Sequence, residues 1–472
     1  MNVDQREQVL SNAKYLREVR PLDPEEITEY VEGRPHPAAI KQVLREEALA
    51  LDLVETAEGT FEPVDEGPIA QRFRGVEAFP EEYSLALEDL LVAEYGPGWP
   101  DGESGADIRE RVRRLKADYL WQNDVEYDQE TALAYALYHL PDYYAAVQYV
   151  LDDLVADGLL PHRLRILDVG AGVGGPALGL ADLLPEDALV EYHAVEPSAA
   201  ADVLTDLLAE TGRNFHPTVH RVTAEAFDPD VAFDLVLFGN VLSELDDPAA
   251  VVGRYGRTLA DDGSLVLLAP ADRNTAINLR TVERDVEDGL SVYAPTVRLW
   301  PGATPGDEGW SFDVAPDLAV PAFQRRLDAA AGDPDHEPGE FVNVDVKFAY
   351  AVLRRDGSRR VDFTPDPGQW AKMADMEAHV SNRIDVPAIK LSHDLSDGEG
   401  ANPVFKVGDG SEQVATYLVL TKESALNRDL VTADYGDLLL CENVLALWND
   451  DEEAYNLVVD GETVIDRVPA AG

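Results

Sequence analysis

The sequence predicts an α/β protein built on a doubly wound parallel sheet, with a helical region before the sheet and a small β domain after it. Three observations carry this. From residue 164 short apolar strands alternate with amphipathic helices. The first of them runs straight into a glycine turn, 164-LRILDVGAGVGGPALGLADLLP-185. Before it the apolar residues recur at helical spacing, and from about residue 385 they alternate as in strands.

Residues 1–130 form the helical region, on the heptad-like spacing of IKQVLREEALALDLV and YSLALEDLLVAEY. The Gly/Pro-rich stretch YGPGWPDGESG (95–105) separates these from IRERVRRLKADYLW (108–121). Residues 131–384 form the core. It opens on TALAYALYHLPDYYAAVQYVLDDLVADG (131–158), in which Pro141 is expected to kink or restart a helix. The strands expected next are RILDVG, LVEYHAVE (189–196), TVHRV (218–222), FDLVLFGN (233–240) and GSLVLLAP (263–270). An insert over 296–344 is rich in Pro, Gly and Asp. VDVKFAYAVLRRDGSRRVDFT (344–364) reads as a hairpin turning at Asp356-Gly357. Residues 385–472 read as a small barrel or sheet.

The chain has 472 residues, 91 acidic against 38 basic, and a net charge of −53. Such self-repulsion loosens a fold in dilute buffer and is screened in molar salt, where the Debye length is about 3 Å. The acidity is spread along the whole chain, so the expectation is a protein of a salt-rich, halophilic cytoplasm. Cys441 is the single cysteine, which excludes intramolecular disulfides and multi-cysteine metal sites. The N-terminus lacks the apolar centre of a signal peptide, and no long apolar run suggests a membrane span. A soluble, cytoplasmic protein is expected.

Spacing alone does not decide what the glycine turn holds. Gly170, Gly172 and Gly175 fit the dinucleotide pattern G-x-G-x-x-G, and Gly170, Gly172 and Gly174 fit G-x-G-x-G. Asp168 favours one answer, because a carboxylate at the mouth of the turn repels a pyrophosphate. It suits a ligand with ammonium and sulfonium groups, and S-adenosylmethionine is such a ligand. The next strand ends in Glu196, an acid able to accept ribose hydroxyls in either kind of site. Glu225, after the third strand, is expected near an adenine amine, and the fourth strand ends in Gly239-Asn240. A nicotinamide or flavin site and a purely structural turn stay as alternatives.

The turn resembles motif I of class I S-adenosylmethionine-dependent methyltransferases, which have a Rossmann-like sheet. Further stretches, ALAYALYHLPDYYAAVQYVLDDL, 236-VLFGNVLSELDDP-248, GDEGWSFDVAPDLAVPAFQRR and GDLLLCENV, resemble the methyltransferase-like family associated with the small ribosomal subunit. That resemblance spans roughly 110–470 and implies methylation of ribosomal RNA, or assembly work, on the small subunit. Family members commonly carry a cysteine cluster thought to ligate an iron–sulfur centre. Here YAPTVRLWPGATPGDEGWSFD (293–313) contains no cysteine, so no cluster is expected. Trp300, Trp310 and Phe312 are expected to supply an apolar mini-core instead.

Methyl transfer from a sulfonium is an in-line displacement, for which the protein positions and desolvates the acceptor. Asn240 is the candidate to orient an acceptor amine. The amino-methylating N/D-P-P-Y/F signature is absent, since the chain reads GNVLSEL there. Two basic clusters stand out for RNA phosphates: RERVRRLK (109–116), with Arg109, Arg113 and Arg114, and RRDGSRR (354–360), with Arg354, Arg355, Arg359 and Arg360. Internal pairing with the acidic surface is the competing reading. The tyrosine-rich helix, including Tyr135, Tyr138, Tyr143, Tyr144 and Tyr149, reads as core that leads into the first strand, and His139 as a satisfied, partly buried histidine. Two other functions stay open: a non-catalytic assembly factor that binds the donor, and a small-molecule methyltransferase, which buried arginine clusters would favour.

Overall fold

The computed structural model describes residues 1–469 apart from Gln71, Gln122, Asp333, Asp335 and Glu399. The chain divides into two compact units, one of Met1–Trp121, Val125–Leu235 and Ala319–Asn343, the other of Val236–Leu318 and Val344–Gly472 with Gln122–Asp124.

The first unit begins with α1 (Val3–Leu16), α2 (Pro24–Tyr30), α3 (Pro37–Glu46) and α4 (Ala48–Leu51), then a hairpin of β1 (Leu53–Glu55) and β2 (Phe61–Pro63). Asn2 starts α1 through a capping box with Gln5. Val9, Ile27, Ile40, Leu44, Leu53 and Phe61 share one small core here. Three long helices follow: α5 (Glu81–Tyr95), α6 (Gly102–Trp121) and α7 (Gln129–Ala156).

Pro141 neither ends nor restarts α7, which is continuous over 28 residues. Proline leaves the carbonyl four residues earlier without its helical donor. The Gln324 side-chain amide takes that place, donating to Leu137 O at 2.9 Å and Tyr138 O at 3.1 Å. Gln324 is fully buried on the helix Ala322–Ala329.

The sheet strands are β3 (Arg163–Val169), β4 (Leu189–Val195), β5 (Phe215–His220) and β6 (Phe233–Gly239), with α8 (Gly175–Leu183) and α9 (Ala200–Leu208) between them. The strand order is β5-β4-β3-β6, with β3–β4 and β4–β5 parallel. In register Asp168 sits opposite Ala194. That parallel order brings the ends of β3 and β4 side by side, where ligands bind in such sheets.

In the second unit the order continues β6-β7-β10-β8, through β7 (Leu259–Pro270), β8 (Ser291–Ala294) and β10 (Val346–Arg354), with β9 (Asp313–Ala315) also on β10. The helices α10 (Pro248–Gly256) and α11 (Arg273–Asp285) flank β7 in sequence. The expected hairpin over 344–364 does not form. One edge of β10 pairs antiparallel with β7, Val352 opposite Val266, and the other pairs with β8 and β9. A returning strand would find no free edge. Instead Asp356 accepts from Ser358 N and from the Arg354 guanidinium, which closes a tight turn.

The insert's apolar mini-core is also corrected. Trp300 is buried and donates to Asp409 Oδ2 at 2.7 Å, but Trp310 is 42% exposed. Ion pairs hold the segment instead: Asp307 takes both Arg284 and Lys406.

The last strands are β11 (Arg383–Lys390), β12 (Val404–Gly408), β13 (Thr416–Leu420), β14 (Leu438–Asn449), β15 (Ala454–Val459) and β16 (Val464–Val468). Their order is β11-β12-β13-β15-β14-β16, and β14 pairs back onto β11, so the strands close like a barrel, with β15 and β16 on successive halves of β14. Closure removes exposed sheet edges. Alternate residues such as Val386, Ala388, Phe405, Leu418, Leu439 and Leu457 fill the inside. Cys441 is among them, and burial pushes its thiol far above the usual cysteine range. Among the described residues no helix is long and apolar enough to cross a membrane.

Candidate functional site

The turn between β3 and α8 needs glycine three times. Gly170, Gly172 and Gly174 have φ of 72°, 54° and 97°, in the left-handed region. Gly175 has another task. A Cβ there would stand 2.9 Å from Tyr143 Cβ, so this glycine lets α7 pack on the start of α8. Both sequence patterns are therefore real, one for chain direction and one for packing. A Cβ on Gly172 would meet nothing within 4 Å, so the middle of the turn lies open.

Two acids line this turn within the first unit. Asp168 is wholly buried; its Oδ2 accepts from Tyr192 at 2.5 Å, and its Oδ1 has no partner among the described residues. Burial raises the Asp168 carboxyl to about 7, against the Tyr192 hydrogen bond and with help from the charge of Glu196. Burial likewise pushes the Tyr192 hydroxyl well up. Glu196 is 7% exposed and accepts from Gly172 N at 3.0 Å through Oε2. Its Oε1 accepts from Ser198 N at 2.9 Å and Ser198 Oγ at 2.6 Å. A carboxylate has about four acceptor positions, so roughly one is left for a ligand. The second acid thus braces the turn as well as facing it.

This arrangement fits a cationic ligand. An unpartnered buried carboxylate oxygen is costly unless a donor arrives. Beside it are an open glycine turn and the N-terminus of α8.

Residues 167–265 match the family model described as "Methyltransferase domain". Over this segment the chain is similar to methyltransferase domains. Residues 6–57 and 374–468 match the N-terminal and C-terminal domain models described as "Domain of unknown function (DUF8157)". A malonyl-[acyl-carrier protein] O-methyltransferase from Geobacter sulfurreducens is 34% identical over 132 residues, which cover 26% of this chain and 45% of that protein. The chain therefore spans less than half of that relative. Two solved structures are also similar. The sugar N-methyltransferase KedS8 from Streptoalloteichus sp ATCC 53650 has a TM-score of 0.21 at 25% identity, covering 26% of this chain and 47% of that one. A putative methyltransferase from Thermoplasma acidophilum has a TM-score of 0.28 at 13% identity, covering 42% and 70%. The expected kinship with a small-ribosomal-subunit family finds no support among these matches.

Of the other predicted residues, Glu225 lies exposed beyond β5 in the first unit. Asn240 lies in the second unit, just past β6, with φ 61°. Its N–H donates to Leu268 O at 2.8 Å, and its side-chain Nδ2 is buried without a partner among the described residues.

The basic clusters are mostly spent internally, which corrects part of the RNA reading. Arg109 is 5% exposed and donates to Pro100 O and Leu327 O. Arg113 forks onto Glu340 at 2.6 and 2.9 Å and lies over the Phe341 ring. Arg354 is 2% exposed and holds Asp356 and Ser264. Arg359 donates to Arg298 O, Arg355 to Leu259 O, and the backbone N–H of Arg360 to Tyr293 O. Buried guanidinium groups cannot reach a phosphate. Arg114 and Arg355 stay exposed.

Sequence reasoning missed Tyr192 and Ser198, whose roles depend on pairing across the sheet and on a turn two residues after Glu196. It also missed Asp142, which stands beside His139 at 3.5 Å with its Oδ1 buried and unpartnered among the described residues. His139 also lies 3.3 Å from Asn343 Nδ2, which agrees with its reading as a satisfied, partly buried histidine.

Proposed function

We propose that the chain is an S-adenosylmethionine-dependent methyltransferase. The observation that carries this is the unpartnered, buried Oδ1 of Asp168 beside an open glycine turn, in a segment matching a methyltransferase domain. Asp168 would hold the donor's ammonium, with Gly170, Gly172 and Gly174 around the methionine portion. Glu196 would hold the ribose with its remaining acceptor position, and Glu225 would stand near adenine. Bound there, the donor supplies a methyl group on a cationic sulfonium. Asn240 is our candidate for orienting the acceptor.

The acceptor class we favour is a small molecule or a carrier-borne group rather than ribosomal RNA. Burial of Arg109 and Arg354 supports this reading, because it takes one arginine of each basic cluster out of reach of a phosphate. So does the net charge of −53, which repels RNA. The ribosomal reading, catalytic or as an assembly factor, is second, and exposed Arg114 is what favours it.

Calorimetry with S-adenosylmethionine in multimolar KCl tests the first reading. Micromolar-range binding by the wild type, lost in Asp168→Ala, is expected. A wild type that binds no donor would remove the enzyme reading and leave the ribosome-associated scaffold.

A further inference from the structure

Six aromatic rings gather beside the glycine turn, all within the first unit. Tyr135, Tyr138, His139 and Tyr143 lie on α7, Tyr119 on α6, and Tyr127 just before α7. His139 and Tyr143 stack at 5.1 Å and 11°; Tyr135 lies 4.9 Å from His139, and Tyr127 edges onto Tyr135 at 5.5 Å. A core cluster of this size would be sealed. Here Tyr119, Tyr127, Tyr138, His139 and Tyr143 are only partly buried.

Two contacts tie these rings to the site. Tyr143 Cβ is the atom that a side chain at Gly175 would strike, directly after the turn. Ala199 N, three residues past Glu196, donates to Tyr127 O at 3.4 Å. The aromatic wall therefore borders both acid-bearing loops. Its chemistry favours cations. Ring faces carry negative quadrupole density, and an onium group over them gains about 0.5–2 kcal/mol. Asp142 stands 3.5 Å from His139 through Oδ2, and its Oδ1 is buried without a partner among the described residues. One of the rings already holds a cation: Lys116 Nζ stands 5.0 Å over Tyr138 and donates to Glu340 O.

We propose that Tyr127 and Tyr143, backed by the buried Tyr135, form a recognition wall for an onium group, the sulfonium of the methyl donor or an ammonium on the acceptor. This rests on the methyl-donor reading above. A wall of this kind favours the charged donor over its neutral thioether product, and so assists product release.

The test compares S-adenosylmethionine with S-adenosylhomocysteine, which has the same shape without the sulfonium charge. Calorimetry is run on wild type and on Tyr127→Leu, Tyr143→Leu and the two Phe variants. If the sulfonium is the ligand, each Leu variant weakens the donor about 3- to 30-fold, leaves the product's affinity within 2-fold, and the Phe variants match wild type. A second arm titrates tetramethylammonium into the product complex. Binding that the Leu variants abolish, with donor affinity unchanged, assigns the wall to an acceptor ammonium.

Equal weakening of donor and product, or no change in either arm, overturns the wall and makes the rings packing alone. A wild type that binds neither nucleoside overturns the methyl-donor reading and this proposal with it. That outcome is separable, because a failed wall leaves both nucleosides bound.

Discussion

Tyr192 Oη reaches Asp168 Oδ2 at 2.5 Å, across two paired strands and out of contact with solvent. It fixes one carboxylate oxygen and leaves the other aimed at no protein donor. Burial holds the Asp168 carboxyl near 7, above its unfolded value. The unfolded chain therefore binds fewer protons between about pH 4 and 7, and this group makes stability fall as pH rises through that window. Donor binding should run the other way, since the ammonium prefers the ionised acid. S-adenosylmethionine affinity is expected to rise through pH 7 and level off. In Asp168→Asn that rise disappears, affinity drops about 10- to 100-fold, and stability at pH 8 increases. Calorimetry and urea denaturation across pH 5–9 check this; a pH-independent wild type would contradict it.

Gly172 and Gly179 should separate binding from folding. A Cβ on Gly172 meets no atom, and the left-handed φ of 54° costs an alanine about 1–2 kcal/mol. Its methyl group would stand in the open turn, so Gly172→Ala is expected to weaken donor binding at least about tenfold in a still-folded protein. Gly179 carries the reverse burden. A Cβ there would lie 2.2 Å from Tyr144 O, where neither backbone can give way. Gly179→Ala should destabilise by about 3 kcal/mol or more while any folded fraction binds normally. Equal effects of the two on stability would refute the distinction.

The turn was legible because strand, glycines and helix are contiguous. The strands β3 to β7 were legible for the same local reason. What failed depended on partners far along the chain. Pro141 looked like a break because Gln324, 187 residues away from Leu137, is invisible to any local pattern. The hairpin at Asp356-Gly357 failed because both edges of β10 were already taken. Arg109 was readable and was misread: Ile108, Val112 and Leu115 mark the buried face of α6, and Arg109 lies on it. Counting charge along a segment ignored which face each residue occupies.

Arg354 offers a direct test of the RNA reading. Its guanidinium is buried against Asp356 and Ser264. Burial raises the Asp356 carboxyl, but the bonds from Arg354 and Ser358 outweigh it and hold the group at about 2. Its pKa is depressed, so the stability it contributes is full above about pH 4 and is lost as pH falls towards 2. Arg354→Ala should cost about 2–3 kcal/mol and remove that acid-limb dependence. Arg114→Ala should change stability by less than about 0.5 kcal/mol. An Arg354→Ala protein of unchanged stability, with weakened binding of an RNA oligonucleotide, would restore Arg354 as a phosphate ligand.

Charge makes the last prediction. The chain carries −53, and ion pairs such as Arg163–Asp52 and Arg467–Asp437 neutralise only a minority of its 91 acids. Unpaired carboxylates repel one another over about 10 Å at 0.1 M salt and about 3 Å at 1 M. Folding packs those charges more closely than the unfolded chain does, so screening favours the folded state. The urea midpoint should climb steeply between 0.1 and 1 M KCl and flatten above it. Sucrose of matched water activity, which screens nothing, should fail to reproduce the early rise. The interior pairs around Arg280 and Glu283 are shielded from solvent and should contribute little to the slope. A midpoint independent of KCl from 0.1 to 2 M would mean that surface repulsion is already compensated, and the salt-rich setting inferred from composition would fall with it.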